Sequence, residues 1–203
     1  MLGYKVKATS YSSTKPYILG IHYAQRMPSI SYSYGLFKDD VMVGVVCYGS
    51  PPSQSLCKGI CGVEYKDKVL ELNRLCLKNN LKNESSYLVS QSLKLLPKPK
   101  VIVSYADTSQ NHVGYIYQAT NFLYTGLSDK RTEWRMKGSD LHSKTVCEKY
   151  TLQERKDNNI FYLTDRPRKH RYVYMIGNKK FVKQAKKDLK YPTSDYPKEQ
   201  TTI

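Results

Sequence analysis

The chain has 203 residues, 40% of them hydrophobic, which is enough for one substantial core and short for two full domains. Its formal net charge is +16, and half of that excess lies between Asp165 and Lys190, where ten Lys/Arg stand against two Asp; a block of this kind suits a polyanionic partner. The opening residues have no apolar stretch and the longest apolar run, Val41 to Tyr48, is too short to cross a bilayer, so a soluble intracellular protein is expected.

An odd number of cysteines (Cys47, Cys57, Cys61, Cys76 and Cys147) argues against a disulfide framework. Cys57 and Cys61 are four apart with no second pair at zinc-ligand spacing, so the cysteines read as small buried hydrophobes and no metal site is expected. The 19 tyrosines suit strand packing, and those beside basic residues also suit stacking on bases.

In chain order, Tyr4 to Ser12 reads as a first strand, and Lys15 to Gln25 as a short helix stopped before Pro28. Ser31 to Phe37 alternates Tyr32, Tyr34 and Leu36, turns at Lys38-Asp39-Asp40, and pairs as a hairpin with Val41 to Tyr48. Gly49 to Ser53 is a loop, and Val69 to Leu77 a strand containing Glu71, Asn73 and Arg74. Asn83 is expected to cap a helix running to Leu96, which Pro97 and Pro99 stop. Lys100 to Tyr105 is a strand, His112 to Asn121 a helix, and Asn121 to Thr125 a strand. A strand at Glu133 to Met136 and a helix at Ser143 to Arg155 follow. Tyr172 to Ile176 is the last strand, Phe181 to Leu189 a basic helix, and residues 191–203 a flexible tail. The order implies an α/β (α+β) protein with a mixed, mostly antiparallel sheet flanked by helices and a basic C-terminal extension.

This order resembles the GNAT acyltransferase superfamily, in which a loop and helix N-terminus after the fourth strand hold the donor's pyrophosphate on free backbone amides. The matching segment here, Lys78 to Ser86, has no glycine and carries Glu84; Lys78, Lys82, Asn83, Ser85 and Ser86 are its candidate donor-binding residues. Three blocks are similar to the Mom proteins of phages: Gly44-Val45-Val46 through Tyr48-Gly49-Ser50-Pro51-Pro52; Glu71-Leu72-Asn73-Arg74-Leu75; and Ser104 to Gly126. That resemblance implies a transferase that converts adenine in DNA to a carbamoylmethyl (glycinamide-type) adenine, shields the DNA from restriction, and works in the cytoplasm of a bacterial host. One GNAT-like catalytic domain is expected over residues 1–190, with an inserted segment over residues 127–169 as a candidate to contact DNA.

Arg74, late in its strand, needs a partner such as Glu71 or Asp107 and is the candidate stabiliser of developing negative charge. Asp107 ends a strand beside a crevice, where open sheets place chemistry, and is the candidate base or orienter; a cap on the next helix is its other reading. Tyr117 matches the tyrosine that protonates the leaving group in GNAT enzymes. His22, Tyr23, Tyr105 and Tyr115 are candidate pocket residues. Trp134 and Arg135 are candidates to stack on an extruded base, and Arg166, Arg168, Lys169, Arg171, Lys179 and Lys180 to contact phosphates. Double-stranded DNA presenting a flipped adenine is the expected partner. The donor is an acyl carrier such as acetyl-coenzyme A or a glycyl donor, for which glycyl-tRNA suits a basic chain. A non-catalytic nucleic-acid-binding protein, or an acetyltransferase of another amine, is the alternative.

Overall fold

A computed structural model describes residues 2–141 and 143–198. Seven strands form the main sheet: β1 (Tyr4–Ala8), β2 (Tyr32–Lys38), β3 (Val41–Gly49), β4 (Val69–Leu77), β5 (Lys100–Asp107), β6 (Leu123–Leu127) and β9 (Lys169–Ile176), in the order β1-β2-β3-β4-β5-β9-β6. Among the described residues, β4 and β5 run parallel and the other neighbouring pairs of this sheet antiparallel.

Helices cover both faces because the strands alternate. Leu70, Leu72, Ile102 and Tyr172 point to one face, under α3 (Glu84–Leu95) and α4 (Tyr115–Ala119). Val69, Val101, Val103, Val173 and Met175 point to the other, where they meet α2 (Gln54–Gly59), a 3-10 turn at Val63–Lys68 and α7 (Lys179–Lys187). On that second face α1 (Tyr11–Gly20) seats Tyr17 against Val45 and Cys76. Cys47, Cys57, Cys61 and Cys76 are buried, and Cys147 is exposed.

A separate two-stranded sheet, β7 (Arg131–Met136) with β8 (Phe161–Arg166), carries α5 (Ser143–Lys149) and α6 (Leu152–Asp157) between its strands and stands out from β6 and β9 as an arm. Its sequence pattern implies one strand and one helix. The helix breaks because Thr151 and Glu154 form a capping box that starts a new one, and β8 escapes notice because only one of its first three residues, Phe161, is buried.

Other boundaries move for equally local reasons. The first strand stops at Ala8, because the Ser10 hydroxyl accepts from the Ser13 amide and starts α1 there; α1 ends at Gly20 rather than Gln25. Asn83 does not cap α3: it sits at φ 67° with no capping bond from its side chain. Residues 191–198 are not a loose tail. The Ser194 amide bonds to the Tyr124 carbonyl (3.1 Å), Tyr196 Oη to the Phe122 carbonyl (2.8 Å) and Gln118 Nε2 to the Pro197 carbonyl (3.2 Å), strapping the segment across β6. Residues 199–203 of the expected tail lie outside the described residues. Among the described residues no helix is long and apolar enough to cross a membrane.

A candidate active site where two parallel strands part

β4 and β5 pair only from Val69↔Val101 to Leu72↔Ser104. The last rung is closed by Ser104 Oγ donating to the Leu72 carbonyl at 2.9 Å, and beyond it the strands diverge. A cleft of about 1010 Å³ fills the gap, lined on one side by Ser85, Ile116 and Tyr117 and on the other by Glu71, Arg74, Tyr105, Lys169 and Arg171. It therefore reaches through the sheet from one helical layer to the other, a shape that lets two substrates meet from opposite faces.

A bulge determines what the cleft contains. β3 pairs Cys47 with Arg74 and Tyr48 with Leu72, so Asn73 is the extra residue. Residues three apart in a regular strand face opposite ways; the bulge returns Arg74 to the face of Glu71. The amide of Asn73 donates to the Ser29 carbonyl at 2.8 Å, and its Oδ1 is buried without a partner. Arg74 does not form the expected ion pair. Its guanidinium donates to the Arg26 carbonyl (2.9 and 3.3 Å) and to the Asn73 carbonyl (2.6 Å), which fixes it by backbone oxygens while it lines the cleft.

Glu71, considered in the sequence only as a partner for Arg74, lies in the cleft wall. Burial raises its pKa above the ordinary carboxylate value, against the pull of Lys169 and Arg74. Asp107 is the opposite case. Despite the cost of burial, Lys169 at 2.7 Å and the Ser109 hydroxyl and amide hold its pKa below the ordinary value. It caps the 3-10 turn Thr108–Gln110, as its alternative reading had it, and it does not line the cleft.

Tyr117, on α4, sits at the apex where β4 and β5 separate. Burial pushes its phenol up to about 12, with the Ser104 hydroxyl holding it back. Gly114 begins α4 at φ 82°, and a Cβ there would lie 2.5 Å from the Tyr172 ring, so the turn that aims Tyr117 depends on glycine. His22 and Tyr23 stack at 4.5 Å, and Tyr23 meets His112 edge-on at 6.3 Å across the mouth. Burial, with Arg74 and His112 nearby, lowers His22 to about 4. Its Nδ1 accepts from the Ala24 amide at 3.0 Å, so the neutral ring carries its proton on Nε2. Tyr105 and Tyr115 also line the cleft; burial raises the Tyr105 phenol.

The expected donor loop is only partly in place. Asn80 and Ser85 line the cleft, bonded to each other at 2.8 Å; Lys78, Lys82, Asn83 and Ser86 do not line it. Glu84 is 2% exposed and turns inward, accepting from the Leu81 amide (2.9 Å) and Tyr4 Oη (2.7 Å). The helix start thus already carries a carboxylate, a poor setting for a pyrophosphate.

Of the basic candidates, Arg166, Lys169 and Arg171 line the cleft. Arg171 is too buried for a surface phosphate contact: Nε and Nη2 bond to Thr125, and the Tyr191 ring lies 3.4 Å over its guanidinium. Arg168 is committed to the Ser128 and Leu127 carbonyls. Trp134 is covered by Arg155 and Arg135 is paired with Glu133, and neither reaches the cleft. Lys179 and Lys180 are exposed at the start of α7, apart from it. Sequence reasoning missed Arg131 and Tyr191, both in the cleft wall, because the arm and the strap were not foreseen.

Residues 3–198 match the model of the Mom protein family. The chain belongs to that family. Among Mom relatives, the methylcarbamoylase mom of Escherichia phage Mu is 28% identical over 131 residues, covering 62% of this chain and 54% of that protein, so the chain spans about half the length of the curated relative it matches. Among solved structures, Arabidopsis thaliana Naa50 in complex with a bisubstrate analogue superposes with a TM-score of 0.50 at 8% identity, covering 86% of this chain and 100% of that one. A GNAT family acetyltransferase from Bacillus cereus gives 0.46 at 10% identity, over 86% and 99%. The Mom chain therefore has a GNAT-like α+β fold with a mixed, mostly antiparallel sheet, as its element order implied.

Proposed function

We propose that this protein is a DNA-modifying transferase that builds a carbamoylmethyl group on the exocyclic amine of adenine and so protects DNA from restriction. Membership of the Mom family and the likeness to the methylcarbamoylase of phage Mu support this reading. The observation that carries the reading is the cleft through the sheet, with a raised-pKa carboxylate, a fixed guanidinium and a protonated phenol around it.

An amine inside a duplex does not reach such a cleft, so the adenine enters flipped out, from the face that bears Glu71, and the donor enters from the face of Tyr117. Glu71 takes the proton from the attacking amine; its raised pKa suits a base. Arg74 stabilises charge on the acyl oxygen, and Tyr117, protonated at neutral pH, gives a proton to the leaving group. Asp107, paired with Lys169, serves here to hold that lysine in place.

The added atoms, C2H3NO, are those of a glycyl unit. Glycyl transfer to N6, attack of the glycine nitrogen on C6, and expulsion of the original nitrogen as the amide give this product. A glycyl donor, with tRNA as its proposed carrier, supplies all of these atoms, and the inward-turned Glu84 disfavours a pyrophosphate at the start of α3. The test is mass spectrometry of nucleosides from DNA of cells expressing the protein and fed labelled glycine. A labelled deoxyadenosine about 57 mass units heavier supports the reading, as the atom count of this small base modification requires. Unmodified DNA from soluble protein defeats it, and modified but unlabelled DNA defeats the glycyl route alone.

A further inference from the structure

At the root of the arm, β7 and β8 place Arg131 directly opposite Arg166. Like charges opposed across an antiparallel pair destabilise it, so the pairing is a cost the fold carries. Neighbouring acids relieve it little. Arg131 reaches Asp129 at 3.9 Å with both side chains well exposed, and an exposed contact of that length contributes almost nothing. Arg166 Nε reaches Glu133 Oε2 only at 3.9 Å, the outer limit of an ion pair, while Arg135 Nε holds the other oxygen of that carboxylate at 2.8 Å and shares its charge. Both arginines line the mouth of the cleft, beside Tyr105 and Lys169, on the face that carries Glu71. Two guanidinium forks borne at directly opposed positions of the cleft wall are matched by a phosphodiester, whose oxygens accept bidentate hydrogen bonds.

We propose that Arg131 and Arg166 form a two-pronged clamp on a backbone phosphate of the DNA strand whose adenine enters the cleft. The clamp rests on the DNA reading above and deepens it. It holds one phosphate beside the extruded nucleotide and sets the depth to which the base enters. Lys179 and Lys180, distant from the cleft, have no part in it.

The experiment measures binding of a short fluorescein-labelled duplex, with one adenine opposite an abasic site, across a salt series. It compares wild type, Arg131→Gln/Arg166→Gln, and Lys94→Gln/Lys98→Gln, which loses equal charge at exposed positions around the end of α3. The clamp predicts that the arginine variant binds about tenfold or more weakly, with a salt slope shallower by about 0.9, the value for one phosphate. Its melting temperature holds or rises as the opposed charges are removed. Wild-type affinity and slope in the arginine variant, or losses equal to those of the lysine variant, overturn the clamp while leaving the DNA reading standing. A fall in melting temperature with an unchanged slope also overturns it, since that assigns the pair to the arm's folding. If wild type ignores the duplex, or if the arginine variant loses affinity only for a stem-loop RNA in the same assay, the clamp fails together with its DNA assignment.

Discussion

Lys169 meets Asp107 at 2.7 Å between directly opposed positions of β5 and β9, and this ion pair divides two acids that a sequence reader would treat alike. Asp107 is held below the ordinary carboxylate value by Lys169 and Ser109, whereas burial holds Glu71 above it. A base must be deprotonated yet willing to take a proton, which favours Glu71. Glu71→Gln is expected to cut accumulation of modified deoxyadenosine by about 10²–10⁴, the usual contribution of a general base, and Asp107→Asn by less than about tenfold. The measurement is nucleoside mass spectrometry at matched protein levels; the reverse order would return the base role to Asp107.

Tyr117, with its pKa pushed up to about 12, stays protonated throughout the physiological range. It packs at 5.4 Å from Phe122 and 5.1 Å from Tyr172, ring to ring, so removing the hydroxyl alone leaves those contacts intact. Tyr117→Phe is therefore expected to lose about a hundredfold in modification while DNA affinity and melting temperature stay near wild type. Weakened DNA binding in this variant would mark the phenol as a binding group.

The resemblance made the fold legible, and alternation marked most of the main sheet. The site was legible only in part. Arg74 and Tyr117 stand out as residue types, but the grouping of Arg74 with Glu71 depends on the bulge at Asn73, and no pattern of period two reveals an inserted residue. Tyr191 was hidden for another reason. It lies in a polar stretch that reads as disordered, yet it is held by Arg171 and by the strap's bonds to Phe122 and Tyr124, all contacts between distant parts of the chain. The arm shows the same limit, since β8 is mostly exposed and its register with β7 is fixed by pairing alone.

His22 gives a stability prediction with a definite sign. Its folded pKa is about 4 and its ordinary value 6.5, so between those limits the unfolded chain binds the extra proton and stability falls as pH falls. His170, also lowered, acts in the same direction, and Glu71, raised, in the opposite one, so the contribution is isolated by difference. His22→Asn preserves an acceptor for the Ala24 amide and removes the titration. Undiscounted, that shift is worth about 2.5 kcal/mol across the window; because the ring is only half-buried and partly screened by solvent, about 1 kcal/mol is expected, so that the wild type loses about 2–4 °C more than the variant in a chain of this size. Parallel melting curves for the two would assign His22 an ordinary pKa.

Gly114 and Gly126 separate backbone strain from side-chain collision. Both have positive φ, 82° and 81°, but a Cβ at Gly114 meets the Tyr172 ring at 2.5 Å, whereas one at Gly126 meets nothing within 4 Å. Gly126→Ala should cost only the left-handed conformation, about 1–2 kcal/mol. Gly114→Ala should cost that plus the displacement of a fully buried tyrosine whose hydroxyl is bonded to the Val113 carbonyl, another 1–3 kcal/mol or about that. Because Gly114 starts the helix bearing Tyr117, its variant should also lose modification in excess of its loss of folded protein, while Gly126→Ala should modify DNA in proportion to what remains folded. Thermal melts and nucleoside mass spectrometry on both variants check this, and equal destabilisation by the two would show that Tyr172 moves aside freely and that α4 is not fixed through Gly114.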